Sequence, residues 1–197
     1  MTRNVHPIER RSYEILRSRA GTSALPPLTR AVTERVIHAS ADVGYRTSLV
    51  CAETVLAGGA AALAAGAPVV SDSQMTASGI TARTVVCRIR DPRAVPLASA
   101  CGITRSAAGI RVAFDEVGPG AVWVIGTAPT ALIELIGLAA TPALVIGLPV
   151  GFVGAAESKQ ALRDSGLPAV SNWGEKGGAA VAAAALNALL YAEVTEP

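Results

Sequence analysis

The sequence has few of the residues that usually carry metal or redox chemistry. Its three cysteines, Cys51, Cys87 and Cys101, form no Cys-x-x-Cys pair. Their spacing predicts neither a disulfide framework nor a zinc site, and no group of cysteines and histidines has metal-ligand spacing. We therefore expect three reduced, mostly buried thiols and no metal held by the protein itself.

Histidine is equally scarce. Of the two histidines, His6 stands in an exposed-looking His-Pro pair, which leaves His38 as the natural proton-transferring residue. An unperturbed imidazole titrates near pH 6.5, so His38 can give or take a proton at physiological pH. The alternative is a hydrogen-bonded core histidine on an apolar helix.

Charge is sparse and evenly spread. Only 16% of the residues are charged, and the net charge of +2 has no block of one sign, so we expect no nucleic-acid partner. Arginine supplies all cationic side chains except Lys159 and Lys176. The planar guanidinium of arginine binds a carboxylate at two points, which suits a substrate with carboxylates. Genomic base composition can produce the same excess of arginine over lysine.

The longest uncharged run, residues 135–156, is long enough to span a membrane. Two prolines and four glycines interrupt it, which indicates a helix end, a buried strand and a turn instead. The N-terminal residues include several charges and lack the apolar core of a signal peptide. We expect no membrane association and a cytoplasmic location.

Helical and strand-like segments alternate along the chain. Apolar spacing predicts helices over residues 8–19, 28–41, 52–65 and 178–190, and short strands over 68–72, 85–89, 121–125 and 143–146. These strands are apolar on both faces, as in a sheet covered by helices on both sides. The sequence thus predicts one domain over residues 1–197, a three-layer α/β fold with a mostly parallel sheet.

The first two helices have clear apolar faces. Ile8, Tyr13 and Leu16 are spaced for one face of the first helix, which we expect to end at Gly21. The second helix is predicted to turn three aliphatic side chains inward, Val32, Val36 and Ile37. It places His38 near its C-terminal end, where the helix dipole favours a protonated imidazole.

Ligands of such sheets bind where strands turn into helices, here at residues 71–75, 126–130 and 147–154. These turns contain no phosphate cradle of the Gly-x4-Gly-Lys-Ser/Thr type and no Gly-x-Gly-x-x-Gly fingerprint. A Gly-x-Ser-x-Gly elbow that would pair a serine nucleophile with His38 is also missing. Nucleotide binding and serine hydrolase chemistry are therefore disfavoured.

Several stretches, in order along nearly the whole chain, carry a family resemblance. They are Ile8-Glu-Arg-Arg-Ser-Tyr13, Val36-Ile-His-Ala39, Gly79-Ile-Thr81, Thr104-Arg-Ser-Ala-Ala108 and Pro149-Val-Gly-Phe-Val-Gly-Ala-Ala-Glu-Ser-Lys159. Together they resemble the precorrin-8X methylmutases of cobalamin (vitamin B12) biosynthesis. The fourth and fifth stretches in combination are highly specific.

The resemblance implies an isomerase that needs no cofactor. A methyl group moves from C-11 to C-12 of precorrin-8X to give hydrogenobyrinic acid. In the alternative cobalt-precorrin-8 version the product is cobyrinic acid, and any cobalt arrives inside the substrate. By the same resemblance, His38 corresponds to the catalytic histidine and acts as proton donor, as a general acid or by stabilising charge.

The substrate implied by the resemblance is a flat apolar ring fringed with carboxylates, so its site needs an apolar slot edged by cations. Arg105, between the hydroxyls of Thr104 and Ser106, is the first expected carboxylate anchor. Lys159, after a glycine-rich turn, is the second. The other positions expected to contact or line the ligand site are Ser12, Arg17, Asp72, Met75 and Thr81. Capping, surface or core-packing roles are the alternatives at these positions.

The chain departs from the family pattern at a few places. Thr127 stands where asparagine is expected, Ala179 where serine is expected, and His6 where aspartate is expected, while Arg83 is displaced by one residue. These changes leave the implied reaction class intact and concern the set of carboxylate contacts.

Two other functions are compatible with these residues. A non-catalytic corrinoid-binding carrier would need the same slot and cations, and an unrelated small-molecule enzyme could use the same scaffold. The resemblance and the apolar C-terminal helix together predict a homodimer with sites near its interface.

Overall fold

The computed structural model describes residues 6–192; the predicted domain limits at residues 1 and 197 lie outside this range. The helices are α1 (Pro7–Ala20), α2 (Pro27–Ser40), α3 (Tyr45–Ser48), α4 (Glu53–Ala64), α5 (Gln74–Gly79), α6 (Ala94–Cys101), α7 (Arg105–Val117), α8 (Pro129–Gly137), α9 (Ala155–Asp164) and α10 (Ala179–Ala192). The strands are β1 (Leu49–Val50), β2 (Val69–Ser71), β3 (Val85–Val86), β4 (Val122–Ile125), β5 (Leu144–Gly147) and β6 (Ala169–Asn172).

One six-stranded sheet organises the described chain, in the order β1-β6-β5-β4-β2-β3. Strands β2 to β6 run parallel, and β1 pairs antiparallel with β6 at one edge. All residues of the central strands β4 and β5 are buried, because helices cover both faces of the sheet. The predicted three-layer α/β fold is confirmed.

Alternate strand residues enter two separate hydrophobic cores. Val122 and Val124 of β4 point into the core built with α1, α2, α4 and α10. Trp123 and Ile125 point to the opposite side, into the core built with α7, α8 and α9. This period of two places α1 and α2 in one outer layer and α7 in the other.

Helix α10 lies in the interior of the first core. Nine consecutive residues from Val181 to Leu189 are buried, so every face of that stretch is covered within the single chain. At its start, a Cβ on Gly126 would lie only 2.9 Å from the Cα of Ala179, so glycine permits this close approach. The apolar character of α10 is thereby explained without a second subunit, and this argument for a dimer does not hold.

The structure corrects three finer predictions. Ile8 is 74% exposed, so the apolar face of α1 consists of Leu16 and the half-buried Tyr13. None of the three free cysteines is fully buried, and Cys101 is exposed; burial nevertheless raises the pKa of the Cys51 thiol to about 11. Helix α2 ends at Ser40, one residue before the predicted limit, and Ala41 caps it in the left-handed conformation with φ of 54° although it is not glycine.

Other predictions hold. Gly21 caps α1 in the left-handed conformation, and Val32, Val36 and Ile37 are buried. The uncharged run at 135–156 contains the end of α8, the buried strand β5, a turn and the start of α9. Between residues 6 and 192, no helix is both long enough and apolar enough to cross a membrane.

Candidate active site

His38 lies in the last turn of α2, where the neighbouring helix α1 contacts it at two points. The hydroxyl of Ser12 lies 2.9 Å from His38 Nδ1. The ring of Tyr13 stacks on the imidazole with centroids 5.0 Å apart and planes inclined by 8°. The half-buried imidazole is therefore fixed at one ring nitrogen and on one face.

The start of α2 is fixed by a residue from another helix. The Glu53 carboxylate at the beginning of α4 accepts hydrogen bonds from the main-chain N–H groups of Leu28 and Thr29. This carboxylate takes the place of an N-cap side chain, which the Pro26 N-cap cannot supply. Three buried aliphatic residues of α2 then anchor the helix in the core, and His38 follows directly after them.

A groove of about 410 Å³ lies between α1, α2 and the end of α10. Tyr13 lines this groove and joins it to His38. The charged side chains in its lining are Glu9, Arg10, Arg17, Glu34 and Arg35, and Tyr191 adds a second aromatic ring. The groove thus combines aromatic surface with three arginines, the chemistry that an apolar acid with carboxylate substituents requires.

Glu34 is the buried charge of the groove. Its carboxylate, with a side chain 4% exposed, accepts hydrogen bonds from Arg17, Arg30 and Thr22. Burial raises the pKa of Glu34, but these hydrogen bonds lower it by more, so the pKa lies below its ordinary value. Glu34 therefore stays ionised and holds Arg17 at the groove while half of the Arg17 side chain remains exposed.

Arg35 connects the groove wall to α10. Its guanidinium donates to Glu9 at 2.9 Å and to the Tyr13 hydroxyl at 3.4 Å, and it lies 5.7 Å from the centroid of the Tyr191 ring. The Tyr191 hydroxyl in turn forms a short hydrogen bond with Thr81. The structure thus brings together four of the predicted site residues, Ser12, Arg17, His38 and Thr81, along one surface.

Lys159 lies inside the protein, with no exposed surface. Its ammonium donates to Asn172 Oδ1 at 3.0 Å and to the carbonyl of Lys176 at 2.5 Å. Burial lowers its pKa to about 8. In the single chain, this lysine holds the turn before α10 and does not reach the surface where a carboxylate anchor was expected.

That turn also contacts the region that follows His38. The Lys176 ammonium forms a 2.6 Å ion pair with Asp42, just beyond the end of α2. The hydrogen bond from Lys176 lowers the pKa of Asp42, helped by the N–H of Gly44. Lys159, Asn172, Lys176 and Asp42 therefore form a chain of contacts from α9 to the histidine-bearing end of α2.

Asp72 directly follows β2, and Met75 lies in the first turn of α5. The buried Asp72 carboxylate accepts hydrogen bonds from the main-chain N–H groups of Gly126, Thr127 and Ala128 and from the Thr127 hydroxyl. Asp72 thereby organises the β4–α8 turn. Thr127, which stands where asparagine is expected, donates to this carboxylate through both its N–H group and its hydroxyl. Met75 is 69% exposed.

Thr104, Arg105 and Ser106 lie in the opposite layer from His38, at the start of α7. Thr104 caps this helix by accepting from the N–H of Ala107, and its hydroxyl lies 2.8 Å from that of Thr130. Both threonines line a second cavity of about 410 Å³. Arg105 is exposed. A single chain therefore presents its expected carboxylate anchor and its histidine in different helical layers.

Sequence reasoning missed three groove residues, Tyr13 as a partner of His38, Arg35 and Tyr191. Arg35 precedes His38 by one helical turn, so the i, i+3 spacing on α2 is a signal for their shared face. Tyr191 has no comparable signal, because only the folded chain brings the end of α10 to α2. Among residues 6–192, no group of three or more histidine, cysteine or acidic side chains could hold a metal ion.

Comparison with known proteins agrees with this architecture. The family model of precorrin-8X methylmutases matches residues 7–192. A precorrin-8X methylmutase of Sinorhizobium sp. is 40% identical, covering 95% of this chain and 94% of its own. A cobalt-precorrin-8 methylmutase of Salmonella typhimurium strain LT2 is 44% identical, covering 84% and 82%.

A solved structure gives the same result. The precorrin-8X methylmutase of Thermus thermophilus superposes with a TM-score of 0.84 and 34% identity, covering 95% of this chain and 98% of that one. The superposition extends over almost the whole length of both chains, and the expected resemblance is confirmed. The chain belongs to the precorrin-8X methylmutase family, a family of isomerases in cobalamin biosynthesis.

Proposed function

We propose that this chain moves a methyl group from C-11 to C-12 of precorrin-8X, giving hydrogenobyrinic acid, with His38 as the proton donor. The observation that carries the proposal is the placement of His38 against Ser12 and Tyr13, beside a groove lined by three arginines. Family membership supplies the substrate class, and the groove chemistry is consistent with it.

The proposed chemistry uses each part of the site for one task. Ser12 engages Nδ1, so we assign the transferred proton to Nε2 of the protonated imidazole. The proton goes to the macrocycle, favours its reactive tautomer and balances the charge that develops as the methyl group leaves C-11. When the methyl group bonds to C-12, the proton is released. A positioned histidine contributes roughly 100- to 10,000-fold in such a role.

Substrate carboxylates are assigned to the cations. Arg17 lies in the groove with half of its side chain exposed. Thr104, Arg105 and Ser106 lie in the other layer, so in a homodimer they can approach a ring bound beside the partner's histidine. We therefore retain the homodimer as part of the proposal. A mass near 19.9 kDa in solution, the value for one chain, would contradict it.

Anaerobic turnover tests the proposal. The purified chain is incubated with precorrin-8X, and the visible spectrum and product mass are followed for the native chain, His38→Ala and His6→Ala. The His6→Ala variant is the matched control, because it removes the other histidine, which is exposed at the start of α1. We expect an isomer of unchanged mass from the native and control chains, and at least a 100-fold lower rate from His38→Ala.

Other outcomes select the alternatives. Retention of the ring by all three chains without conversion identifies a corrinoid carrier. Absence of both binding and conversion identifies a different small-molecule enzyme. The same assay with cobalt-precorrin-8 compares kcat/KM for the two substrates, because homologues of both names are similar to this chain.

We also propose a cytoplasmic location. The three free thiols are consistent with a reducing compartment, where disulfides rarely persist. Fractionation of cells that produce the chain would test it, and recovery with a secreted or membrane fraction would contradict it.

A further inference from the structure

Tyr13 is the aromatic partner of His38, and neither residue type nor spacing had marked it as functional. Its ring is nearly parallel to the imidazole, 8° off and 5.0 Å away between centroids. It directly follows Ser12 in α1, so adjacent residues supply the contact to Nδ1 and the contact to the ring face.

The Tyr13 ring is itself held in place from two other directions. Arg35 on α2 donates to its hydroxyl at 3.4 Å, and Arg17 on α1 lies with Cζ 5.5 Å from its centroid. Arg35 is fixed in turn by Glu9, and Arg17 by Glu34. These ion pairs hold the two arginines against Tyr13, and its ring is thereby fixed between the groove and the imidazole.

We infer that Tyr13 is a positioning residue for the methylmutase reaction, whose ring face orients the His38 imidazole and stabilises its protonated form. This inference rests on the proposed function, because it concerns the proton that His38 donates. An aromatic face is negative and attracts a cation stacked on it. Imidazolium therefore gains from the contact more than neutral imidazole does.

The charged groups around Tyr13 and His38 include some that favour and some that oppose protonation of His38. Arg17 and Arg35 oppose a second cation at His38, while Glu9 and Glu34 neutralise these two arginines. Beyond the end of α2, the Asp42 carboxylate is paired with Lys176. Tyr191, from α10, meets Arg35 and is the titratable group contributed to this groove by that helix. Because the arginines carry their own counter-ions, the ring face of Tyr13 adds to the dipole of α2, which also favours imidazolium at this helix end.

Two substitutions separate the ring from its hydroxyl. Tyr13→Phe keeps the stacked ring and removes the acceptor for Arg35, whereas Tyr13→Leu removes the aromatic face. The pKa of His38 is measured in the substrate-free protein from the pH dependence of its imidazole NMR signals. We expect Tyr13→Leu to lower this pKa by roughly 0.4 to 0.7 pH units and Tyr13→Phe to change it by less than about 0.2.

Kinetics provide a second readout. Since His38 donates in its protonated form, the rate falls as pH rises through its pKa, and Tyr13→Leu should move this fall to lower pH by the same amount. At pH values above both pKa values, kcat should be roughly 2- to 5-fold lower than in the native chain, with KM little changed. Loss of a merely structural side chain would lower stability without moving the titration.

The two readouts also separate this inference from the proposed function. If Tyr13→Leu shifts the NMR titration of His38 but not the pH–rate profile, the stacking effect of Tyr13 is supported. The role of His38 as proton donor is then contradicted. An unshifted NMR titration in a folded Tyr13→Leu chain, or an equal shift in Tyr13→Phe, would overturn the inference. If Tyr13→Leu does not fold, Tyr13→Met gives the same comparison with a more adaptable side chain.

Discussion

Ser12 Oγ lies 2.9 Å from His38 Nδ1, although the two residues are 26 positions apart and belong to different helices. Ser12 was expected to contact the substrate, whereas in the structure its hydroxyl contacts the proposed proton donor. The hydrogen bond at one ring nitrogen sets the proton state of the other. The contact between α1 and α2 therefore determines which nitrogen of His38 serves a substrate.

Replacement of Ser12 by alanine should reduce kcat more than it raises KM. One hydrogen bond has a net value of about 0.5 to 1.5 kcal/mol, which corresponds to roughly a 2- to 12-fold loss of rate. Steady-state kinetics with precorrin-8X measure both constants. Ser18→Ala on the same helix is the control, since its exposed hydroxyl donates to the carbonyl of Ile15 and lies outside the contact with His38. A rise in KM with constant kcat would instead make Ser12 a substrate-binding residue.

Glu34→Gln should destabilise the fold at neutral pH. The folded pKa of Glu34 lies below its unfolded value, so its ionised form stabilises the fold at pH values above the unfolded pKa, about 4.3. We expect the free energy of unfolding to fall by roughly 1 to 3 kcal/mol at pH 7. The difference between the two chains should shrink as pH falls from about 4.3 through the folded pKa.

Urea unfolding at several pH values measures this effect. Glu14→Gln is the control, because Glu14 forms an exposed ion pair with Arg11 and should change stability by less than about 0.5 kcal/mol. A Glu34→Gln effect that stays constant between pH 7 and pH 3 would contradict the linkage.

Asp72→Asn should destabilise the turn that follows β4. Asp72 accepts from three successive N–H groups, and an asparagine side chain would turn a donor toward some of them. Leaving such buried donors unpaired costs about 1 to 3 kcal/mol. Equilibrium unfolding compares this variant with Asp164→Asn, whose carboxylate is exposed at the end of α9. Equal stability of the two variants would show that the turn holds without the carboxylate.

Lys159 should make stability depend on pH in the alkaline range. Its pKa is about 8 in the folded chain and about 10.4 when unfolded, so the unfolded state binds more protons between these values. The free energy of unfolding should therefore rise by roughly 1 to 3 kcal/mol from pH 8 to pH 10, relative to Lys159→Met. Lys176→Met, which removes the exposed lysine, should retain this rise. If the free energy of unfolding has the same pH dependence in the native chain and in Lys159→Met over this range, the lowered pKa of Lys159 is contradicted.

The layered fold was predictable because its strands are apolar on both faces and its first helices have regular apolar spacing. Strand β6 was missed, since Ser171 and Asn172 interrupt its apolar character while being buried by partners from α9 and the following turn. The antiparallel strand β1 was also missed: Leu49 and Val50 follow α3 directly, whereas the equally short β3 lies in the separate apolar stretch 85–89. Strands β1 and β6 pair with each other, and β6 also pairs with β5, so both strands are defined by partners that are distant in the sequence.

The candidate site was predictable in part. His38 stood out as a scarce residue type, and motif matches pointed to Ser12, Arg17 and Thr81, which the fold places along one surface with it. The burial of Lys159 was not predictable, because its acceptors come from residues 13 and 17 positions later in the chain. Stacking of Tyr13 on His38 depends on the relative placement of α1 and α2, which no local sequence pattern encodes.

The enclosed position of α10 has a consequence for synthesis of the protein. Residues 179–192 leave the ribosome after the other described elements, yet α2 packs on the face that they provide. Until this segment has emerged, one side of the nascent sheet and the inner face of α2 have no partner, and both expose aliphatic surface. Assembly of the layer that holds Ser12 and His38 is thus one of the last events of folding during translation, so nascent chains stalled before residue 179 should lack the site.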